Sequence, residues 1–417
     1  MTEPAYRIWK KLSAKEIDSR IRQCLKRNVD FKSRPILGIP VSSLDENVFS
    51  QDRRMLDSSL FLQTMVDNPN HIGCHTLGES EPFFSGTQEL EREAIEIVAV
   101  DIFQGEPGKQ DGYIAAGGTE ANLQAMWIYR NYFRVEHAAG PGQVAILCSQ
   151  DSHYSVAKGA NLLDLPIYQV AVNENDREIV EFDLEATIKS AKKNGARFFI
   201  VVSNLMTTMF GSVDDVDLYA HCLEAADVEF RIHVDGAYGG FVYPFANPQS
   251  KMTFRNQQIT SFTLDAHKLL QAPFGTGMFV VRKNWMHYAT TDDASYVQGM
   301  DMTLSGSRSG ANAIAVWMIL VTYGPHGWYE KIHLLNHRTE WLARQLDELS
   351  IEHYRHPASN IVAIRAAQLQ PAIFDKYGLV PDDHHQPGWY KIVVMSHVTV
   401  DALEPFIEDL RSQVCGD

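Results

Sequence analysis

Between about Asn68 and Gly310 the chain alternates short, unbroken apolar runs with longer stretches whose apolar residues recur at helical spacing. The runs are VAILCS (144–149), PIYQVAV (166–172), RFFIVVS (197–203), FRIHVD (230–235), SFTL (261–264) and GMFVVR (277–282). This alternation predicts an α/β fold in which helices wrap a mostly parallel sheet. Ser85 and Gln88 predict a capping box for a helix carrying Leu90, Ala94, Ile97, Val98 and Ile102 on one face, and Asp183 and Gly195 bracket another helix.

The flanks read differently. In the first segment Ile17, Ile21, Cys24 and Leu25 recur at helical spacing before a loop around Pro35 and Pro40, a pattern that suits an arm as well as a helical cap. After Gly310 come two long helical stretches, the runs IVAIR (361–365) and YKIVVM (390–395), and a closing helix after Thr399, which together predict a small α+β domain. PDDHHQPG, between those two runs, is rich in turn formers and reads as a surface loop. The expected organisation is an N-terminal segment over 1–60, a large domain over 61–310 and a small domain over 311–417, with no internal repeat.

Composition narrows the partners. A chain of 417 residues with 45% hydrophobic and 21% charged content is that of a globular protein and excludes a disordered, collagenous or coiled-coil chain. No apolar stretch approaches the eighteen or so residues that a membrane span needs. Lys plus Arg of 37 against Asp plus Glu of 52 gives 37 − 52 = −15, which repels nucleic-acid phosphates and favours a small-molecule partner. The five cysteines are an odd number without a CxxC pair, and the N-terminus lacks the apolar core of a signal peptide, so the expected location is the cytoplasm.

Four segments concentrate chemistry at strand ends or helix starts, where open α/β sheets bind ligands. In GYIAAGGTEANLQAMW, Gly117 and Gly118 permit a tight turn and Thr119 opens a helix; the N-terminal amides suit a phosphate, although Thr119 also fits as a simple cap. GxGxxG and the P-loop pattern are both missing, which disfavours dinucleotides and ATP. In CSQDSHYS, His153 follows a strand and either stacks on an aromatic ligand or serves the loop as a capping residue. FRIHVDGAYGG delivers Asp235 to the end of an apolar strand, where a carboxylate needs a cation or hydrogen-bond donors: a protonated ring nitrogen, a structural Arg or a helix N-terminus. In SFTLDAHKLLQAPFGTG, the flanking Leu264, Leu269 and Leu270 are expected to desolvate Lys268 and favour imine formation, against the alternative that the lysine reaches out to solvent.

Taken jointly these residues describe an aromatic aldehyde bearing a phosphate: Lys268 for the Schiff base, Asp235 for the ring nitrogen, His153 over one face, Gly118 and Thr119 for the phosphate. The cofactor that needs all four is pyridoxal 5′-phosphate. From about Gly73 onward the chain also resembles the group II pyridoxal-phosphate-dependent decarboxylases, which act on glutamate, aromatic amino acids, tyrosine and histidine. The motifs GGTEAN, DSHYS, HVDGAYGG, DAHK and SGSRSG occur in that family's order. The resemblance implies the aspartate-aminotransferase fold (fold type I) and a homodimer with shared active sites. It also implies that His267 contacts the phosphate or ring, that Ala237 packs on the ring face opposite His153, and that Thr208 lies near the phenolic oxygen, with Thr207 adjacent. Ser307 would reach the partner's phosphate. Met206 departs from the family's usual small residue.

The implied activity is decarboxylation of an L-amino acid to an amine and carbon dioxide, with the carbanion delocalised into the pyridinium. Tyr296, on a Gly- and Asp-containing loop, resembles the family's proton donor, with His153 the rival. His75, Ser80 and Phe84 (or Phe83) fall in the segment that resembles the substrate side, and SGSRSGANA resembles histidine, serine and archaeal tyrosine or aspartate decarboxylases more than animal aromatic enzymes, which implies a small polar, acidic or imidazole side chain. An aminotransferase or carbon–carbon lyase on the same fold would share Lys268 and Asp235, and an aminotransferase would add a carboxylate-binding Arg, for which Arg365 is placed. From a different class, His71, Cys74 and His75 offer three zinc ligands within five residues, although a fourth is not evident.

Overall fold

A computed structural model describes residues 7–28, 60–72, 82–290 and 300–415. At the N-terminus, helix α1 (Ala14–Arg27) begins with a capping box in which Ser13 and Glu16 serve each other, and Ile17, Ile21 and Cys24 form its buried stripe. The preceding arm is tied down by Asp101, whose carboxylate accepts the backbone N–H groups of Arg7, Ile8 and Trp9, and by Trp9, which is buried and donates to the Leu320 carbonyl at 2.5 Å. A short helix α2 (Leu60–Asp67) and strand β1 (Asn70–Ile72) follow.

Helix α3 (Ser85–Glu96), continued by a π-helical stretch over Ile97–Ile102, buries the apolar face expected for it. Its expected capping box is absent: Phe84 occupies the cap position, and no side chain of the helix's own start serves it. Tertiary partners take over instead. The Gly86 N–H donates to Asn28 Oδ1 at 3.1 Å and the Cys24 thiol to the Gly86 carbonyl at 2.5 Å, so the end of α1 caps the start of α3.

The central sheet comprises β2 (Gln110–Ala115), β3 (Val144–Ser149), β4 (Ile167–Val170), β5 (Phe198–Asn204), β6 (Glu229–Asp235), β7 (Ile259–Asp265) and β8 (Gly277–Arg282), in the spatial order β2, β8, β7, β6, β5, β3, β4. Strands β3 to β7 run parallel, and β8 is antiparallel to both of its neighbours. The connecting helices are α4 (Gly118–Glu136), α5 (Tyr154–Leu163), α6 (Glu181–Lys193), α7 (Val216–Ala225) and the single turn α8 (Tyr243–Ala246). Unbroken apolar strands are explained by burial on both faces. Along β5, Phe199 and Val201 enter the core shared with α1, α3 and α7, while Ile200 and Val202 enter the core shared with α4 and α5.

Beyond the sheet, β9 (Ser307–Ser309) pairs antiparallel with β1, setting Arg308 opposite His71. Helix α9 (Gly310–Glu348) contains the two expected helical stretches, broken at Gly324, whose φ of 62° and ψ of 178° precede Pro325. A Cβ at Gly324 would lie 2.6 Å from Lys11 Cβ, so the break is also where the N-terminal arm crosses. Strands β10 (His353–Tyr354), β11 (Ile361–Arg365), β12 (Val380–Pro381) and β13 (Trp389–Val393) form a separate antiparallel sheet, covered by α10 (Pro371–Tyr377) and α11 (Val400–Cys415). Leu342, Val362, Ile392, Phe406 and Leu410 share its core.

One buried ion pair clamps β9 to the main body. Arg308 pairs with Glu91 of α3, whose carboxylate also accepts the Ile114 N–H at 2.8 Å and lies 3.0 Å from His71 Nδ1. Replacing Arg308 with Met should lower unfolding free energy by about 3 kcal/mol or more, because Glu91 loses its guanidinium while still buried. Arg20→Met, at a pair about one-third exposed, should cost less than about 1 kcal/mol. Chemical denaturation of both variants measures the contrast, and equal small losses would contradict it.

Candidate active site

The carboxyl ends of β3, β5, β6 and β7 deliver Ser149, Asn204, Asp235 and Asp265 to one edge of the sheet. Strand register places Asn204 beside Asp235 and Asp235 beside Thr263. A narrow cleft opens there, lined by His153, Asn204, Thr208, Asp235, Ala237 and Lys268 among others.

Asp235 is 6% exposed. Its Oδ2 accepts from Asn122 Nδ2 at 2.7 Å and its Oδ1 from the Ala237 N–H at 3.0 Å, and no cation pairs with it among the described residues. The Arg considered as a structural alternative is therefore missing from that set. Behind Asp235 lies a buried polar chain: Asn122 Oδ1 is 3.0 Å from His233 Nε2, His233 Nδ1 is 2.6 Å from Ser261 Oγ, and Ser261 meets the Tyr129 hydroxyl. Burial pushes His233 down to about 4, opposed by the attraction of Asp235.

Lys268 follows β7, with Nζ 3.0 Å from Asp265 Oδ2. Leu264, Leu269 and Leu270 turn into the core, while the lysine side chain, 36% exposed and so partly buried, faces a carboxylate. Asp265 was missed by sequence reasoning, although an acid at the end of an apolar strand was the signal used for Asp235. Its Oδ1 is buried without a partner among the described residues. Gly118 sits directly against this group: a Cβ there would come within 2.9 Å of Asp265 Oδ2 and 3.0 Å of Ala237 Cβ. The glycine turn at the start of α4, with half-buried Thr119, thus adjoins the lysine. His267 joins them, its Nε2 3.7 Å from Asp265 and its Nδ1 3.1 Å from the Thr276 carbonyl.

His153 lines the cleft and also caps α5, accepting the Ser155 N–H on Nδ1, so the capping role holds and the side chain still borders the cleft. Burial lowers its pKa, with Lys268 and Lys158 adding to the effect and Asp235 and Asp265 opposing it. Of the two threonines, Thr207 is buried with its hydroxyl on Ser212 at 2.7 Å, which leaves Thr208 as the exposed one. Met206 holds a left-handed φ of 68°, which costs a non-glycine residue roughly 1 kcal/mol. Two further residues escaped notice. Asn204 Nδ2 donates to Asp214 Oδ2 at 2.9 Å, and burial raises this Asp214 carboxyl to about 7. Lys391 of β13 donates to the Thr208 carbonyl at 2.9 Å, and burial, helped by the charge of Lys268, lowers its pKa.

Not every expected residue gathers here. Phe84 is buried outside this cleft, and Ser307 is exposed on β9. Tyr296, His75, Ser80 and Cys74 lie outside the described residues. Arg365 stacks on Trp389 at 4.0 Å and pairs with Glu352 and Glu174, each at 2.8 Å, so it is not a carboxylate clamp for this cleft. The zinc reading fails at His71, which is fully buried with Nδ1 on Glu91 at 3.0 Å and Nε2 on Thr87 at 2.7 Å, leaving neither nitrogen for a metal.

Pyridoxal phosphate fits what is present. A buried carboxylate with donors but no described counter-ion suits a protonated ring nitrogen, a lysine reaches the same cleft, and a glycine turn adjoins both. Fold and site together define a fold type I pyridoxal-phosphate enzyme. The chain belongs to the pyridoxal-dependent decarboxylase family, whose conserved domain matches residues 86–357. It is similar to a tryptophan decarboxylase of Clostridium sporogenes, with 47% identity over 97% of each chain, and to an L-aspartate decarboxylase of Thermococcus kodakarensis, with 30% identity over 78% of this chain and 82% of that one. Among solved structures, L-methionine decarboxylase from Streptomyces sp. 590 shares the fold with a TM-score of 0.69 at 19% identity, covering 92% of this chain and 97% of the other. The protein is a pyridoxal-phosphate-dependent amino-acid decarboxylase, a carboxy-lyase.

The buried histidine also sets a pH dependence. His233 titrates near 6.5 when unfolded but near 4 when folded, so the stability from keeping it neutral is complete above pH 6.5 and is lost as pH falls toward 4. Asp214 works oppositely, since its raised pKa favours the folded state as pH falls through 7. Comparison with His233→Gln isolates the histidine. That variant should lose up to about 3 kcal/mol less between pH 6.5 and 4, read from denaturant midpoints, and identical pH dependence in the two proteins would contradict the assignment.

Proposed function

We propose that the enzyme decarboxylates L-tryptophan to tryptamine as a cytoplasmic homodimer with shared active sites. The observation that carries the substrate is 47% identity, over nearly the whole of both chains, to the Clostridium sporogenes tryptophan decarboxylase. This departs from the small polar, acidic or imidazole side chain expected from SGSRSGANA, a short segment whose likeness to other enzymes says less than identity along the whole chain. Phe274, 90% exposed with its ring 4.7 Å from His267, is an apolar side chain beside the site that a partner subunit would cover. Ser307, exposed on β9, would then serve the partner's site, and His75 and Ser80 are the residues for the substrate side.

Bound pyridoxal phosphate supplies the electron sink for the pair left behind when carbon dioxide departs. Lys268 is the amine that would hold the cofactor through its aldehyde, and Asp265 keeps that amine aimed into the cleft. Asp235 stabilises the proton on the ring nitrogen; His153 covers one ring face and Ala237 is small enough to admit the other. The Gly118 and Thr119 amides at the start of α4, with His267, hold the phosphate. Thr208 stands on the phenolic side. A substrate carboxylate left without a tight cation departs more readily, because an ion pair made only in the ground state would oppose its loss. Arg365, engaged elsewhere, suits that requirement. Tyr296 is the donor that returns a proton to Cα.

Assaying carbon dioxide and amine across the twenty amino acids tests the reading. Tryptophan should give the highest kcat/KM, and Lys268→Ala should lose the cofactor's visible absorbance band with a fall in rate of about a thousandfold or more. Aspartate or tyrosine as the best substrate would overturn the tryptophan assignment, and a keto acid formed without carbon dioxide would overturn the roles given to the site.

A further inference from the structure

Asn122 lies one turn into α4, at 1% exposure, and touches neither the cleft nor Lys268. Its amide nitrogen has two hydrogens and two acceptors in reach, Asp235 Oδ2 at 2.7 Å and Ser155 Oγ at 3.0 Å. The orientation is forced, since turning the amide over would set its carbonyl oxygen against a buried carboxylate. That oxygen therefore accepts from His233 Nε2 at 3.0 Å, while His233 Nδ1 faces the Ser261 hydroxyl at 2.6 Å. On the other arm Ser155 Oγ, which is itself fully buried, has accepted from Asn122, so its own hydrogen is directed to His153 Nδ1 at 2.8 Å. The Ser155 backbone N–H points to the same nitrogen at 3.2 Å.

Resting on the reading that Asp235 and His153 face the cofactor, we infer that Asn122 is a positioning residue that, through Ser155, locks His153 in its neutral tautomer with the proton on Nε2. One amide thus orients both the carboxylate for the ring nitrogen and the imidazole over the ring. Nδ1, met by two donors, takes a proton only if the Ser155 hydroxyl hydrogen and the Ser155 backbone N–H both give up their acceptor. The charged groups around the imidazole do not reverse this: Asp235 and Asp265 favour a second proton, while Lys268 and Lys158 oppose it, as does burial. His153 accordingly presents an N–H donor to the cleft and is not the acid that protonates Cα, which assigns that step to another group.

The test uses the full-length apoprotein labelled with 15N-histidine, with His153 identified among the sixteen histidines by its loss in His153→Gln. Long-range 1H–15N correlation should show His153 as the Nε2–H form, neutral to a pH below the ordinary imidazole range. In Asn122→Leu, Ser155 Oγ loses the donor that orients its hydroxyl, which is then free to turn from Nδ1, and the titration midpoint should rise by about one pH unit or more. Ser155→Ala, which keeps the backbone donor, should move it less in the same direction, and it serves as the readout if Asn122→Leu does not fold. After loading with pyridoxal phosphate, the acidic limb of the kcat/KM profile should shift with the midpoint. A parent His153 that carries its proton on Nδ1 or is charged at neutral pH, or midpoints unmoved in the folded variants, would overturn the inference. Failure of the apoprotein to develop an absorbance band with the cofactor would instead count against the proposed site and leave the tautomer result standing.

Discussion

A carboxylate buried at the end of a central strand has to be surrounded by donors, and much of the site follows from how Asp235 meets that requirement. At 6% exposure and without a described counter-ion, it depends on one amide from α4 and one backbone N–H from the turn after β6. Burying an anion on these terms costs several kcal/mol unless a cation arrives. The demand propagates outward. Asn122 must face one way, which fixes His233 behind it and Ser155 beside it. Ala237 must place its N–H on the carboxylate, which brings its small side chain to the cleft.

The sheet divides the remaining chemistry between neighbouring strand ends. Asp235 on β6 is reserved from the lysine, and Asp265 on β7 pairs with it. Keeping the two acids on separate partners leaves Asp235 available for the ring nitrogen that we propose it serves, while Asp265 aims the amine. A third acid, Asp214, accepts from Asn204 at the same edge, and burial raises its pKa toward neutrality, which limits the negative charge stored there. The C-terminal sheet contributes through Lys391, whose bond to the Thr208 carbonyl fixes one wall of the cleft.

Strands were the most legible part of the sequence, because being buried on both faces removes polar residues and leaves unbroken apolar runs; VAILCS, GMFVVR and IVAIR coincide with β3, β8 and β11. Helix ends were less so. The cap of α3 comes from Asn28 and Cys24, which no local pattern reveals. Strand β2 was hidden within the segment read for its glycine turn. Lys268, Asp235, His153 and Ala237 were legible because strand ends and small residues mark ligand sites. Asn122 was not, since a polar residue in the first turns of a helix is ordinary and its partner Asp235 lies 113 positions away. The surroundings of Lys268 were less legible, because sequence neighbours on a turn point in different directions, and here the leucines point into the core while Asp265 meets the amine.

Asp235 serves a protonated ring nitrogen only through its negative charge. The most direct measurement is the decarboxylation rate of Asp235→Asn loaded with pyridoxal phosphate, compared with the parent at saturating substrate. An amide keeps the shape and the acceptor for Asn122 but removes the charge. The rate should fall by at least about a hundredfold, equivalent to about 2.7 kcal/mol of lost transition-state stabilisation, with the visible absorbance band retained. A variant that binds the cofactor and turns over within a few-fold of the parent would contradict the account.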